Sequence, residues 1–340
     1  MWAPYPIDSF PVKNCPNHCY LGGEEFLSRP DHAHHRFVID LDQISEEEAR
    51  TYPELMTILE EKVKPRRAKV KRDRYRVYWW QFAEPQLALR AAMKKADRVL
   101  MHPTPCAHLA FAFVPSTTII GLPHIVILHE TYSAFCVLQA RSHEIWARFS
   151  GSSMKDDLRY TGTGCFQTFP FPENWETNPT LEATGKIYYE FRADLMVRHN
   201  EGLTTTYNRF HDPDETNPDI LKLRELHAQM DRAVLDVYGW TDIPTDCEFL
   251  LDYEDEDPEG TSKRKKPWRY RWPEEIHDEV LARLLKLNQE RAEEEKLGRP
   301  PRRKVAAKNP KTASEPAAYD DLPLFNTEID ARTNSEEETQ

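Results

Sequence analysis

Hydrophobic and polar positions follow short, interrupted patterns up to about residue 172 and long helical periods after it. Arg36-Phe37-Val38-Ile39-Asp40-Leu41 reads as a short strand. Ser45 with Glu48 three residues on forms a capping box and predicts a helix through about Val63, with a break or fresh start at Tyr52-Pro53. Pro65 to Trp80 has Pro at its start and no later breaker, which predicts one continuous helix with cationic faces. Pro85 opens another helix through about Lys95. Asp97 to Met101, His108 to Val114, Thr117 to Ile120 and His124 to Leu128 are apolar or β-branched runs punctuated by Pro and Gly, and predict a small sheet. Thr131 to Phe149 returns to a helical period that places Phe135, Leu138, Ile145, Trp146 and Phe149 on one apolar face. Helices are then expected over Leu181–Met196, Pro218–Tyr238 and Pro273–Glu295. The pattern therefore predicts an α+β fold. An aperiodic N-terminal loop segment (1–35) precedes a small mixed sheet with packed helices (36–172). A helical C-terminal domain (173–297) and a polar, disordered tail (298–340) complete it.

Composition adds limits. The chain has 340 residues, 39% of them hydrophobic, with 26 Pro against 11 Gly and 8 Trp, which is enough apolar mass for a packed core of about two domains. No run approaches the roughly 20 apolar residues a membrane span needs. The N-terminal residues lack the basic and apolar regions of a secretion signal. Six Cys are too few for a disulfide scaffold, so the expected compartment is the reducing cytoplasm.

The net charge of −12 is unevenly spread. Residues 1–172 carry 21 Lys+Arg against 19 Asp+Glu, a net of +2; residues 173–340 carry 24 against 38, a net of −14. Between Lys62 and Arg76 stand nine bases (Lys62, Lys64, Arg66, Arg67, Lys69, Lys71, Arg72, Arg74 and Arg76) and one acid, Asp73. Local potential guides a phosphate backbone, so overall acidity does not exclude DNA but assigns its contact to the first half. Tyr75, Tyr78, Trp79 and Trp80 follow, suited either to sugars or to anchoring the segment. A solvated surface helix is the competing reading. The second basic run, Lys263 to Trp272, is matched by the acids at 252–259 and reads as local pairing.

Other candidate chemistry is weaker. Cys15-Pro16-Asn17-His18-Cys19 offers two thiols and an imidazole, but the spacing is not that of a zinc knuckle and no second Cys pair follows, so a reduced loop is expected. Glu60, Glu61 and Lys62 with Asp42 resemble nuclease carboxylates only in composition; helical charge pairing explains them. Cys106 and Cys136, near His108 and His143, have apolar neighbours and read as buried thiols. Gly162-Thr163-Gly164 has no strand–helix context for a phosphate loop and reads as a tight turn.

An ordered series of segments carries a resemblance. It runs Leu21-Gly22-Gly23-Glu24-Glu25, His34 to Asp40, Trp79-Trp80-Gln81-Phe82-Ala83-Glu84, Asp97 to Leu100, His108 to Pro115, Val137 to Ala147, Arg159-Tyr160-Thr161 and Cys165 to Pro172. It continues through Tyr188 to Arg192 and Tyr207 to His211 to Tyr238-Gly239-Trp240. The series resembles the C-terminal target-recognition region of bacterial N6-adenine DNA methyltransferases of the type IIG restriction-modification and phage-defence kind. The resemblance implies that 36–172 recognises a target in double-stranded DNA, adds Arg98, Arg141 and Arg159 to the DNA-contacting candidates, and implies a methyltransferase catalytic domain or subunit as partner. Such enzymes carry a Gly-rich S-adenosylmethionine motif and an (Asn/Asp)-Pro-Pro-(Tyr/Phe) motif for the flipped adenine. Here Asn178-Pro179-Thr180, Asn217-Pro218-Asp219 and Asn309-Pro310-Lys311 each lack the second Pro, and the only Pro-Pro, Pro300-Pro301, follows Arg299. No cofactor is therefore expected in this chain; S-adenosylmethionine is expected on the catalytic partner. The competing class is a non-catalytic interaction protein or a decayed fragment.

Overall fold

The structure is a computed structural model that describes residues 5–6, 17–154, 157–251 and 268–298. The expected disordered tail, Cys15 and the acidic run 252–259 lie outside the described residues. The chain folds as two compact units that interleave along the sequence rather than dividing at 172. Unit 1 takes the chain up to Pro103 together with Ala112–Glu130 and Met196–Thr205; unit 2 takes Thr104–Phe111, Thr131–Leu195 and the chain from Thr206 onward.

Unit 1 contains, in order, β1 (Tyr5–Pro6), β2 (Asn17–Leu21), α1 (Gly23–Ser28), β3 (Arg36–Ile39), α2 (Glu46–Ala49), α3 (Pro53–Lys62), α4 (Lys64–Ala68), α5 (Asp73–Val77), α6 (Leu87–Met93), β4 (Arg98–His102), β5 (Ala112–Pro115), β6 (Ile119–Ile120) and β7 (Ile125–Ile127). The expected loop at 1–35 thus contains β2 and α1. Strand β2 pairs antiparallel with β3 (Cys19 opposite Phe37) and parallel with β6 (Tyr20 opposite Ile119), giving a sheet ordered β1-β3-β2-β6. A second sheet, β5-β4-β7, is antiparallel throughout, with Leu100 between Phe113 and Ile127. Local signals in the sequence explain the helix starts. The Ser45 hydroxyl accepts from the Glu48 amide at 3.1 Å, and Pro53 opens α3. The core beside these helices is Ile39, Leu41, Leu55, Met56, Leu59, Trp79 and Trp80.

Unit 2 contains α7 (Tyr132–Gln139), α8 (Arg141–Ser150), β8 (Ser152–Met154), β9 (Asp157–Arg159), α9 (Pro179–His199) up to Leu195, the C-terminal part of α10 (Leu203–Phe210), α11 (Pro218–Val237), β10 (Glu248–Leu251), β11 (Trp268–Arg271) and α12 (Glu274–Gly298). Two antiparallel hairpins, β8–β9 and β10–β11, accompany the helices. The helix expected over 131–149 is broken at Ala140, whose backbone is extended (φ −66°, ψ 153°). The break turns the Arg141 amide onto the Asp231 carboxylate at 2.9 Å. It also re-aims the second half, and Phe149, expected on the apolar face, is 56% exposed. Gly162-Thr163-Gly164, expected as a tight turn, opens one turn of π-helix (Gly162–Phe166), capped by the Thr161 hydroxyl on the Gly164 amide (3.1 Å). Cys106 and Cys136 are buried, as their neighbours predicted.

Candidate nucleic-acid interface

The basic segment is not one helix. Arg72 is extended (φ −74°, ψ 120°) and separates α4 from α5. The break is held from within, because the Arg76 guanidinium donates to the Val70 and Lys71 carbonyls (2.7 and 2.8 Å) and pairs with Asp73. The aromatic residues behind it split between core and surface. Trp79 and Trp80 are buried, and the Trp80 indole N–H donates to the Ile44 carbonyl at 3.2 Å, whereas Tyr78 stays exposed. The two tryptophans therefore anchor a short, angular basic segment to the core of unit 1.

The nine cations have different duties. Arg67 is buried; its guanidinium donates to the Gln81 carbonyl at 3.4 Å and lies 5.1 Å from the Tyr75 ring, and burial lowers it from its ordinary value. Arg72 donates to the Tyr75 hydroxyl (2.8 Å) and to Glu84 (3.1 Å). Arg74 donates to the Ala83 carbonyl at 3.1 Å. Lys64 sits 4.5 Å from the Trp79 ring and 3.8 Å from Glu60. Lys62 is exposed. Arg66, Lys69 and Lys71 are exposed, and their side chains have no ion pair or hydrogen bond among the described residues. These three are the cations of the segment that an external phosphate can take without breaking an internal contact.

The remaining candidates divide sharply. In unit 1, Arg98 lies 3.8 Å from the Phe113 ring and donates twice to the Glu130 carbonyl (2.9 and 2.6 Å). In unit 2, Arg159 is exposed on β9. Arg141 is 4% exposed and paired with Asp231, so it is a core residue rather than a DNA-facing one. Burial alone would lower its guanidinium, but the adjacent Asp231 carries it above the ordinary value. Neither the nuclease-like nor the catalytic Asn-Pro readings gain a site. Asp42 accepts from Arg90 (2.8 Å) and from the Phe82 amide (2.8 Å), while Glu60 pairs with Arg50 (3.2 Å). Asn178 accepts from the amides of Thr180 (2.9 Å) and Leu181 (3.1 Å), and Asn217 from that of Asp219 (2.9 Å), so both Asn-Pro pairs are helix starts.

Periodicity gave no sign of a buried polar network in unit 2. Gln139 accepts from the Phe111 amide (3.0 Å) and donates to the Leu109 carbonyl (2.8 Å), and Arg192 donates to the Phe111 carbonyl (2.6 Å). His108 accepts from Arg269 at Nδ1 (2.8 Å), which leaves Nε2 to donate to Asn208 (2.8 Å). Burial, reinforced by Arg269, pushes His108 down to about 4, so this imidazole is neutral at pH 7. The only available signal was the polar residues within otherwise apolar segments, which marks burial but not partners.

Residues 16–173 match a family model described as MmeI, target recognition domain. The match takes in β2 and α1 as well as the basic segment. Among solved structures, 11 chains match. One is the type IIL restriction-modification enzyme MmeI in complex with DNA, which is 20% identical with a TM-score of 0.53. That match covers 82% of this chain and 31% of the other, so the chain spans about a third of the length of the enzyme it resembles. No curated protein matches. Among the described residues no helix is long and apolar enough to cross a membrane.

Proposed function

We propose that the chain recognises a DNA target for a bacterial restriction-modification or phage-defence system that methylates adenine at N6. The observation that carries the reading is the trio Arg66, Lys69 and Lys71, exposed and uncommitted, on a segment pinned by Trp79 and Trp80 within an MmeI-type target recognition domain. In this reading the trio fixes register on phosphates, and groups elsewhere in the domain read base edges. Flipping and methylation then fall to a methyltransferase catalytic domain or subunit that carries S-adenosylmethionine.

The test is the salt dependence of duplex binding. Each phosphate contact contributes roughly −0.9 to the slope of log affinity against log salt. Replacing Arg66, Lys69 and Lys71 together by Ala is expected to flatten the slope by about two to three units and to weaken all sequences alike. Arg72, an equal candidate by sequence, is left intact because its loss would break its own hydrogen bonds to Tyr75 and Glu84. Parallel salt plots for wild type and variant would remove this segment from the interface. Absence of duplex binding by the wild-type chain would favour the interaction-protein reading.

A further inference from the structure

A cleft with about 430 Å³ of space, its mouth included, opens in unit 2 where α8 faces β11 and the start of α12. Among the described residues, four guanidiniums (Arg141, Arg148, Arg269 and Arg271) and one carboxylate, Glu144, line it. Three of the four have acid partners, Arg141 with Asp231, Arg148 with Glu144 (2.9 Å) and Arg271 with Glu274 (2.6 Å). With Asp231 and Glu274 counted beside Glu144, four guanidiniums meet three carboxylates, a net of one positive charge, and burial holds His211 neutral beside them. Trp272 also lines the cleft. It is 1% exposed, and its indole N–H has no acceptor among the described residues. A buried donor without an acceptor is uncommon, because it forfeits its bond to water without replacement. Just beyond it begins α12, a 25-residue helix whose N-terminal end carries partial positive charge.

We propose that this cleft binds a phosphate group. Guanidinium forks match phosphate oxygens, and a tetrahedral anion can accept from several sides at once, which a planar carboxylate cannot do equally well. The phosphate supplies the acceptor for Trp272 Nε1 and balances the one positive charge left over, beside Arg269. The group is either the terminal phosphate of a nucleic-acid strand or a free phosphate. The proposal stands apart from the role of Arg66, Lys69 and Lys71, which lie in the other unit.

The experiment is calorimetric titration of the full chain with inorganic phosphate at constant ionic strength, beside melting curves with phosphate and with matched chloride. Wild type is expected to bind one phosphate saturably and to melt higher in phosphate. Trp272→Phe keeps a six-membered aromatic ring and removes the donor. It is expected to melt lower without phosphate, because the buried indole is truncated, to gain less from phosphate than wild type does, and to bind about tenfold or more weakly, the loss of one hydrogen bond to a charged group. Arg271→Gln, at a side chain 14% exposed, provides a second reading if the Trp272 variant fails to fold, with a similar loss expected. Competition by a 5′-phosphorylated oligonucleotide but not by its unphosphorylated form would assign the site to a strand end; competition by neither would assign it to free phosphate. No saturable binding by wild type, or equal affinity in wild type and whichever variants fold, overturns the proposal.

Discussion

The imidazole of His108 is held between Arg269, which donates to Nδ1, and Asn208, which accepts from Nε2. That arrangement fits only the neutral ring, and burial lowers the group from 6.5 to about 4. As pH falls, the unfolded chain therefore takes up this proton before the folded one does. The associated stability is complete above about pH 6.5, is lost between 6.5 and 4, and amounts to about 3 kcal/mol. His108→Asn places an amide oxygen where Nδ1 accepts and removes the titration. Melting temperatures between pH 4 and 7 are expected to fall less steeply in the variant, with His211 and His227 keeping a residual slope. Parallel profiles would mean that His108 does not carry the effect. A second buried group makes a different prediction. Asp231→Asn preserves shape but leaves the Arg141 charge buried without its counter-ion, a loss of about 3–5 kcal/mol in urea unfolding. A loss below about 1 kcal/mol would show that Arg141 escapes to water, as at an exposed pair.

At the scale of elements, Gly185 sets how closely α9 lies on α7. A Cβ there would meet the Tyr132 carbonyl oxygen at 2.3 Å and the Cys136 Cβ at 2.9 Å. Helix propensity alone would favour Ala by about 1 kcal/mol, so the sign of the change reports the contact. Gly185→Ala is expected to destabilise by roughly 1–3 kcal/mol, and a gain in stability would mean that the helices stand further apart. The same scale shows what could be read from sequence. The Ser45 cap, the Pro53 start, the strands around Phe37, Leu100 and Val126, and the helices α9, α11 and α12 were legible because their determinants are local. The breaks at Ala140 and Arg72 were not. The first depends on Asp231, 90 residues along the chain, and the second on Arg76 reaching back to carbonyls that a continuous helix would have used. For the site, the nine cations were evident as a cluster, but their division was not. Whether an arginine is committed to Glu84, to Asp73 or to nothing is a tertiary fact.

At the scale of the whole molecule, recognition and chemistry are expected to separate. The net +2 of residues 1–172 and −14 of residues 173–340 leave the recognition segment as the part suited to a polyanion. A methylase holds its flipped adenine with an Asn or Asp oxygen that accepts from the exocyclic amine. The two described Asn-Pro pairs cannot supply one as they stand, since Asn178 and Asn217 already spend their side-chain oxygens on the first amides of α9 and α11. Withdrawing either would remove a helix cap, at a cost of about 1 kcal/mol. The purified chain, incubated with duplex DNA and S-adenosylmethionine labelled in its methyl group, is therefore expected to retard the duplex yet transfer no label. Adding a catalytic domain that carries the missing cofactor and adenine motifs is expected to restore transfer at a defined sequence. Label incorporated by this chain alone would overturn the division, and would require a catalytic loop outside the two helix starts.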